Sequence, residues 1–220
     1  MEPEKQDKIV EDVPQYKGWD KIKRFVKKHF GNHPDFTNVT DAVTYDPEVI
    51  QQYNLDLDSI PAKRRAVILS NIIHESRGMT NAGGDVDDDG NVRAYGLLQW
   101  WPDRFNRNAD DADDPDYQLR YMVGTMKQPK NNNWIRGGKY SGYRSANQVQ
   151  RIFYNDNNSI RDINRALVWG YVRPKHQDTK AQQRTKTAEE IYRRIQAVEK
   201  KQNGGRFPDW MTEEQKLRSK

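Results

Sequence analysis

The sequence contains no cysteine. That absence removes disulfides, thiolate nucleophiles and cysteine-ligated zinc from consideration, and it leaves the redox compartment undetermined. Long apolar runs are missing too. No stretch approaches the roughly 18 apolar residues that a bilayer-spanning helix needs, so no membrane span is expected. The N-terminus, Met1-Glu2-Pro3-Glu4-Lys5, lacks the apolar stretch of a secretory signal peptide. An extracellular target would then be reached by another route, such as a virion, a holin or a dedicated secretion machine. Histidine is scarce, and His29, His33, His74 and His176 show no metal-ligand spacing. No phosphate-cradling glycine loop, no Ser-His-Asp arrangement and no internal repeat is visible, and Gly83-Gly84 reads only as a turn signal. Neither a cofactor nor a metal is expected.

What is present is a polar, basic chain. With 34% hydrophobic and 31% charged residues, its 220 residues suffice for one soluble domain with extensions. The net charge of +5 favours anionic partners. Nucleic acid, membrane surface and bacterial cell wall all satisfy that condition, so charge alone selects none of them.

Residues 1–17 carry no period and read as an extension. Trp19, Ile22, Phe25, Val26, His29 and Phe30 recur at helical spacing, with lysines and Arg24 mostly off the stripe, which predicts a basic amphipathic helix ending near Gly31. A polar loop runs to about Asp46, and Pro47–Tyr53 reads as a short helix. Ser59 can cap the next helix with Pro61 in its first turn. That helix runs through the apolar stretch Ala66–Ile73 to Glu75-Ser76 and stops at Gly78.

Asp89-Gly90 is a tight-turn dipeptide inside Gly83–Gln99, which predicts a small wet hairpin. An acidic loop over Asp110–Asp116 leads to a helix over Tyr117–Met126 with Leu119, Met122 and Val123 inward. Gln128–Ser145, with Trp134, Tyr140 and Tyr143, reads as a long surface loop. Helices are predicted over 146–155 and 159–172. Thr187 with Glu190 suggests a capping box opening a last helix that carries Ile191, Ile195 and Val198 and closes at Gly204-Gly205. The fold class is α+β, mainly α. The expected organisation is an N-terminal extension over 1–45, a catalytic domain over 46–200 and a polar tail over 201–220.

Glu75 stands out because it ends an apolar helix. Apolar surroundings and the negative end of the helix dipole both favour a neutral carboxyl, the form that can protonate a leaving oxygen. An ordinary exposed Glu near a helix end is the alternative. Gln99 follows 24 residues later, at the end of Gly96-Leu97-Leu98-Gln99. Glu75-Ser76 with this second element resembles the Glu-Ser … Gly-Leu-x-Gln signature of the goose-type lysozyme and lytic transglycosylase superfamily. The longer pattern is Asn71-Ile72-x-x-Glu75-Ser76 … Ala94-Tyr95-Gly96-Leu97-Leu98-Gln99-Trp100 … Arg104, followed by Tyr117-Gln118-Leu119-Arg120-Tyr121. It resembles the phage tail-tip lysozyme family, clearly over residues 60–125 and more loosely to about 172.

The resemblance implies a lysozyme-like domain that cleaves the β-1,4 bond between N-acetylmuramic acid and N-acetylglucosamine. Glu75 would be the general acid. Ser76 would orient it or the sugar, Gly96 would let the backbone approach the substrate, and Gln99 would hydrogen-bond the sugar. Tyr95 and Trp100 would wall the cleft, although Trp100 or Trp101 could equally be core. Phage-type inverting lysozymes carry a second acid on the hairpin about ten residues after the Glu, an offset that Asp85 fits, with the carboxyls about 6.5–9.5 Å apart. Lytic transglycosylases need no second acid, because a hydroxyl of the substrate attacks. Asp85-x-Asp87-x-Asp89-Gly90 also matches the opening of a calcium loop, but its twelfth position is Gly96 where a bidentate Glu is required. The expected partner is the peptidoglycan glycan strand, with other virion or tail proteins as further candidates, in a virion or another vehicle delivering the protein to the wall. Nucleic acid is not expected, for want of a dense basic-aromatic stripe. A degenerate glycan-binding domain and a structural virion protein are the rival readings.

Overall fold

The computed structural model describes residues 33–202 apart from 87, 89, 102–103, 129–133, 135–144 and 175, and gives backbone alone for 85–86 and 201–202. The chain divides between Asn32 and His33. The basic helix expected over 19–30 lies outside the described residues, as do the polar tail and the Gly204-Gly205 stop.

Among the described residues there are α1 (Pro47–Asp56), α2 (Ala62–Ser76), β1 (Gly83–Val86), β2 (Val92–Tyr95), α3 (Pro115–Lys127), α4 (Ala146–Tyr154), α5 (Ile160–Leu167), a π-helical turn (Val168–Val172) and α6 (Gln177–Gln202). The fold is mainly α with one small antiparallel sheet, as expected. α1 begins where Asp46 Oδ1 accepts from Glu48 N at 2.9 Å and Pro47 takes the first helical position, whose N–H would be unpaired anyway.

α2 is the central element and packs against α1, α5 and α6. Ala66–Ile73 is buried without a break, so this helix is enclosed rather than laid on a surface. Ser59 does not cap it. Pro61 holds the N-cap position with no side-chain cap bond, its carbonyl accepting from Arg65 N at 3.0 Å, while Ser59 belongs to the turn that leaves α1. At the far end Arg77 adopts a left-handed conformation and Gly78 follows at φ +87°, so the stop expected at Gly78 is present. The hairpin pairs Gly83 with Tyr95, Gly84 with Ala94 and Val86 with Val92.

Three elements differ from expectation. Trp134, expected on a long surface loop, is buried. It is 2% exposed, donates its indole N–H to the Met126 carbonyl at 2.8 Å and packs on Phe153 and Tyr171. The helix expected over 159–172 changes winding at Val168, and Arg173 N reaches back five residues to Val168 O at 2.8 Å. Gly170 permits this turn, because a Cβ there would collide with Val149 and lie 3.1 Å from the Trp134 ring. The last helix starts at Gln177, so Thr187 lies inside it and caps nothing. Its buried residues are Ala181, Arg184, Thr187, Ala188, Ile191 and Ile195, an apolar period interrupted by a threonine and by one charged residue, Arg184.

Candidate functional site

Glu75 lies in the last turn of α2, and 13% of its side chain is exposed. Its surroundings are not the apolar ones expected. Oε1 lies 2.5 Å from Nη2 of Arg184, whose side chain is only 2% exposed. This is an ion pair without an aligned hydrogen bond, and Oε1 itself is out of water. Oε2 is not enclosed in this way, and the side chain keeps a small exposed part.

The arginine is held from several directions. Its Nη1 donates to Asn71 Oδ1 at 2.9 Å, and Ser70 Oγ donates to its backbone carbonyl at 2.7 Å. Asn71 Nδ2 donates to Asn164 Oδ1 at 2.9 Å, and Asn164 Nδ2 donates to Ala181 O and Thr185 Oγ1 at 2.9 and 3.0 Å. Helices α2, α5 and α6 thus meet in a buried polar network ending at the Glu75 carboxylate. His74, the neighbour of Glu75, hydrogen-bonds Thr187 Oγ1 at 2.9 Å. Burial, helped by the nearby Arg184 and Lys180 charges, pushes its imidazole down to about 4, so it is neutral near neutral pH.

The second half of the signature is built around two glutamines. Gln118, fully buried on α3, accepts from Leu97 N at 2.8 Å and donates to Thr80 O and Ala112 O at 2.6 and 2.7 Å. Gly96, at φ +78°, is glycine for this reason. A Cβ there would lie 2.6 Å from Gln118 Oε1, so the space expected for substrate belongs to a side chain. Gln99 donates to Ala82 O at 2.8 Å and Gly96 O at 3.0 Å, so its amide N–H groups, expected to meet sugar, tie the hairpin base to the Gly96–Gln99 turn. Gly84 makes room for it, since a Cβ there would strike Gln99 Oε1. Gly83-Gly84 accordingly lies in strand β1 rather than in a turn.

Ser76 is 2% exposed. Its hydroxyl donates to Ile72 O at 3.1 Å and accepts from Gly78 N at 3.2 Å, so it closes its own helix instead of orienting Glu75. Trp100 is core, 1% exposed, stacked on Phe105 and edge-on to Tyr121. Tyr95 is half-buried against Phe105, with its hydroxyl on Asp113. Trp101, 48% exposed, is the large hydrophobic side chain at the surface among the described residues. The backbone of Asp85 lies in β1; its side chain, and Asp87 and Asp89, lie outside the described residues.

Arg184, Asn164 and Gln118 carry the site's architecture; Gln118 stands in the quoted motif, whereas Asn164 and Arg184 lie outside it. The available signal was an arginine at an apolar phase of the last helix. A separate cleft of about 530 Å³ opens between the end of α1 and α3, lined by Asp56, Leu57, Asp116, Leu119 and Arg120 among others. It adjoins the start of α2, whose length of about 22 Å separates it from Glu75. Loss of water pushes Asp56 up to about 6 there, although the residue as a whole remains exposed.

Residues 61–195, more than half of the chain, match a family model described as phage tail lysozyme. No curated protein and no solved structure matches the chain.

Proposed function

The chain belongs to the phage tail lysozyme family, which implies a lysozyme-like function directed at peptidoglycan, and on that premise we propose that it is a glycosidase with Glu75 as its general acid. The bond cut is the β-1,4 linkage from N-acetylmuramic acid to N-acetylglucosamine. Once it carries a proton on Oε2 in the substrate complex, Glu75 delivers it to the leaving glycosidic oxygen. The ion pair with Arg184 is the state that remains after the transfer. Asp85, ten residues further on, activates the attacking water from the hairpin. Tyr95 and the surface-exposed Trp101 supply aromatic faces beside the strand and the turn. The chain's basic charge holds it near the anionic wall, and a phage tail or virion delivers it there. The catalytic domain is the compact part that contains α1–α6. The single observation behind this reading is a mostly buried carboxylate, its side chain still partly exposed, ending the central helix of a matched lysozyme domain.

A second reading has its own support. The Glu75–Arg184 contact is a buried ion pair of a kind that also serves purely structural ends. Glu75 would then be architecture, and the domain would grip glycan without cutting it. One experiment separates the readings: purified protein on peptidoglycan, wild type beside Glu75→Gln, with mass spectrometry of the released muropeptides. Cleavage by the wild type and none by the variant supports the acid role. Reducing ends identify a hydrolase using Asp85, and 1,6-anhydro ends identify a transglycosylase. Equal cleavage by both proteins, or by neither, sinks the catalytic reading.

A further inference from the structure

Arg184 occupies a place in α6 where packing alone would select an apolar residue. Its stripe neighbours Ala181, Ala188, Ile191 and Ile195 are all buried, and the arginine is as deep as they are. Taking a guanidinium out of water is costly, and a well-packed apolar side chain of similar volume is often neutral or better for stability. An arginine in this stripe therefore needs a reason beyond packing, and its contacts supply one. Its two terminal nitrogens face two different residues of α2, Asn71 and Glu75, which lie one helical turn apart. A lysine could meet one of them; the planar fork of arginine meets both.

The fork is fixed before any substrate arrives. Asn71 is oriented by Val67 O at 2.9 Å and by Asn164, and Asn164 by α6 itself through Ala181 and Thr185. The Arg184 and Lys180 charges both act on the imidazole of His74, the chain neighbour of Glu75.

We infer that Arg184 is the positioning residue of the proposed reaction, clamping Oε1 of Glu75 so that Oε2 alone faces the glycosidic oxygen. The inference rests on the reading of Glu75 as general acid. In the step, the proton passes from Oε2 to the glycosidic oxygen as the bond from the anomeric carbon to that oxygen breaks. A new bond forms from that carbon to the oxygen of the water whose proton Asp85 takes, or of the substrate's own hydroxyl in a transglycosylase. The carboxylate left behind carries its charge on both oxygens, and the one at Oε1 already meets the guanidinium. Arg184 gives up no proton and returns unchanged. Preorganised charge of this kind acts on the transition state more than on ground-state binding.

The test is steady-state kinetics on soluble glycan strands with Arg184→Met, Arg184→Lys, Asn71→Ala and Glu75→Gln, each checked for cooperative thermal unfolding. Arg184→Met is expected to lower kcat about 100-fold, the scale of a misplaced catalytic group, with KM changed by no more than about twofold. Arg184→Lys should recover part of that loss, since it restores charge without the fork. Asn71→Ala, which frees one side of the fork, should lower kcat less than Arg184→Met does. A folded Arg184→Met with wild-type kcat, or with its whole loss in KM, overturns the inference. Should that variant not fold, wild-type kcat in both Arg184→Lys and Asn71→Ala overturns it instead. Glu75→Gln separates the two levels: a dead Glu75→Gln beside active Arg184 variants removes only this inference, whereas an active Glu75→Gln removes the acid role on which it rests.

Discussion

His74 bonds Thr187 and shares its surroundings with Arg184 and Lys180, and its imidazole is pushed from 6.5 to about 4. The unfolded chain therefore binds a proton there that the folded chain refuses. Stability from this residue is complete above pH 6.5 and is lost as pH falls through the window down to about 4. Glu75 adjoins it in sequence, so acid weakens the protein beside its proposed catalytic group. His74→Gln keeps a partner for the Thr187 hydroxyl and removes the titration. The melting temperature of the variant should fall less than that of the wild type between those limits. Parallel melting curves across the window would show that His74 does not carry the effect.

At the scale of elements, the turn after β2 is shaped by what packs behind it. Gly96 has positive φ, and the space where its side chain would lie is filled by the Gln118 amide. Gln118 in turn satisfies the backbone at Thr80, Leu97 and Ala112, which binds the exit of α2, the turn and the acidic loop into one unit. Gly96→Ala must strain the backbone and displace that amide together. The expected cost is about 2 kcal/mol or more in urea unfolding, combining left-handed strain with lost buried hydrogen bonds. A loss below about 0.5 kcal/mol, the level of an ordinary surface change, would contradict this account.

The elements also show why some of the architecture was legible in the sequence. α2 was readable because Ala66–Ile73 has no polar interruption beyond Ser70 and Asn71. The hairpin is legible from the turn dipeptide Asp89-Gly90 between two short strands. Its register is not, since Val86 pairs with Val92 and a two-residue turn at that dipeptide would shift the partner by one. Arg184 breaks the apolar period of the last helix and Thr187 with Glu190 imitates a cap, so the sequence places the start of that helix near Thr187. The cap signal is local, while the true start ten residues earlier is decided by the helices against which Ala181 and Arg184 pack. Trp134 lies among Asn, Gly and Lys residues, which make its segment read as a surface loop. Its burial depends on Phe153 and Tyr171, which are distant in sequence.

For the whole molecule, the boundary that matters lies before His33. Phe36 and Val39 are buried, and Arg194 of α6 donates to the carbonyls of Asp35 and Thr37, so the stretch ahead of α1 is fastened to the last helix. A fragment of residues 33–202 is expected to unfold cooperatively. A fragment beginning at residue 46 should be weaker by about 3–5 kcal/mol from loss of the buried phenylalanine alone. Equal stability of the two fragments would refute the fastening role.

The sequence by itself determined the fold class, the central helix with Glu75 in its last turn, the hairpin and the resemblance to a lysozyme family. All of these rest on period, turn chemistry and a short ordered motif, which are local or linear properties. Only the tertiary structure decided what each motif residue touches. Gly96 and Gln99 proved to be joints of the scaffold, Trp100 proved to be core, and Glu75 proved to face an arginine more than a hundred residues away in the chain. Partners at that separation are chosen by how α2, α5 and α6 cross, and no local pattern along the chain records that crossing.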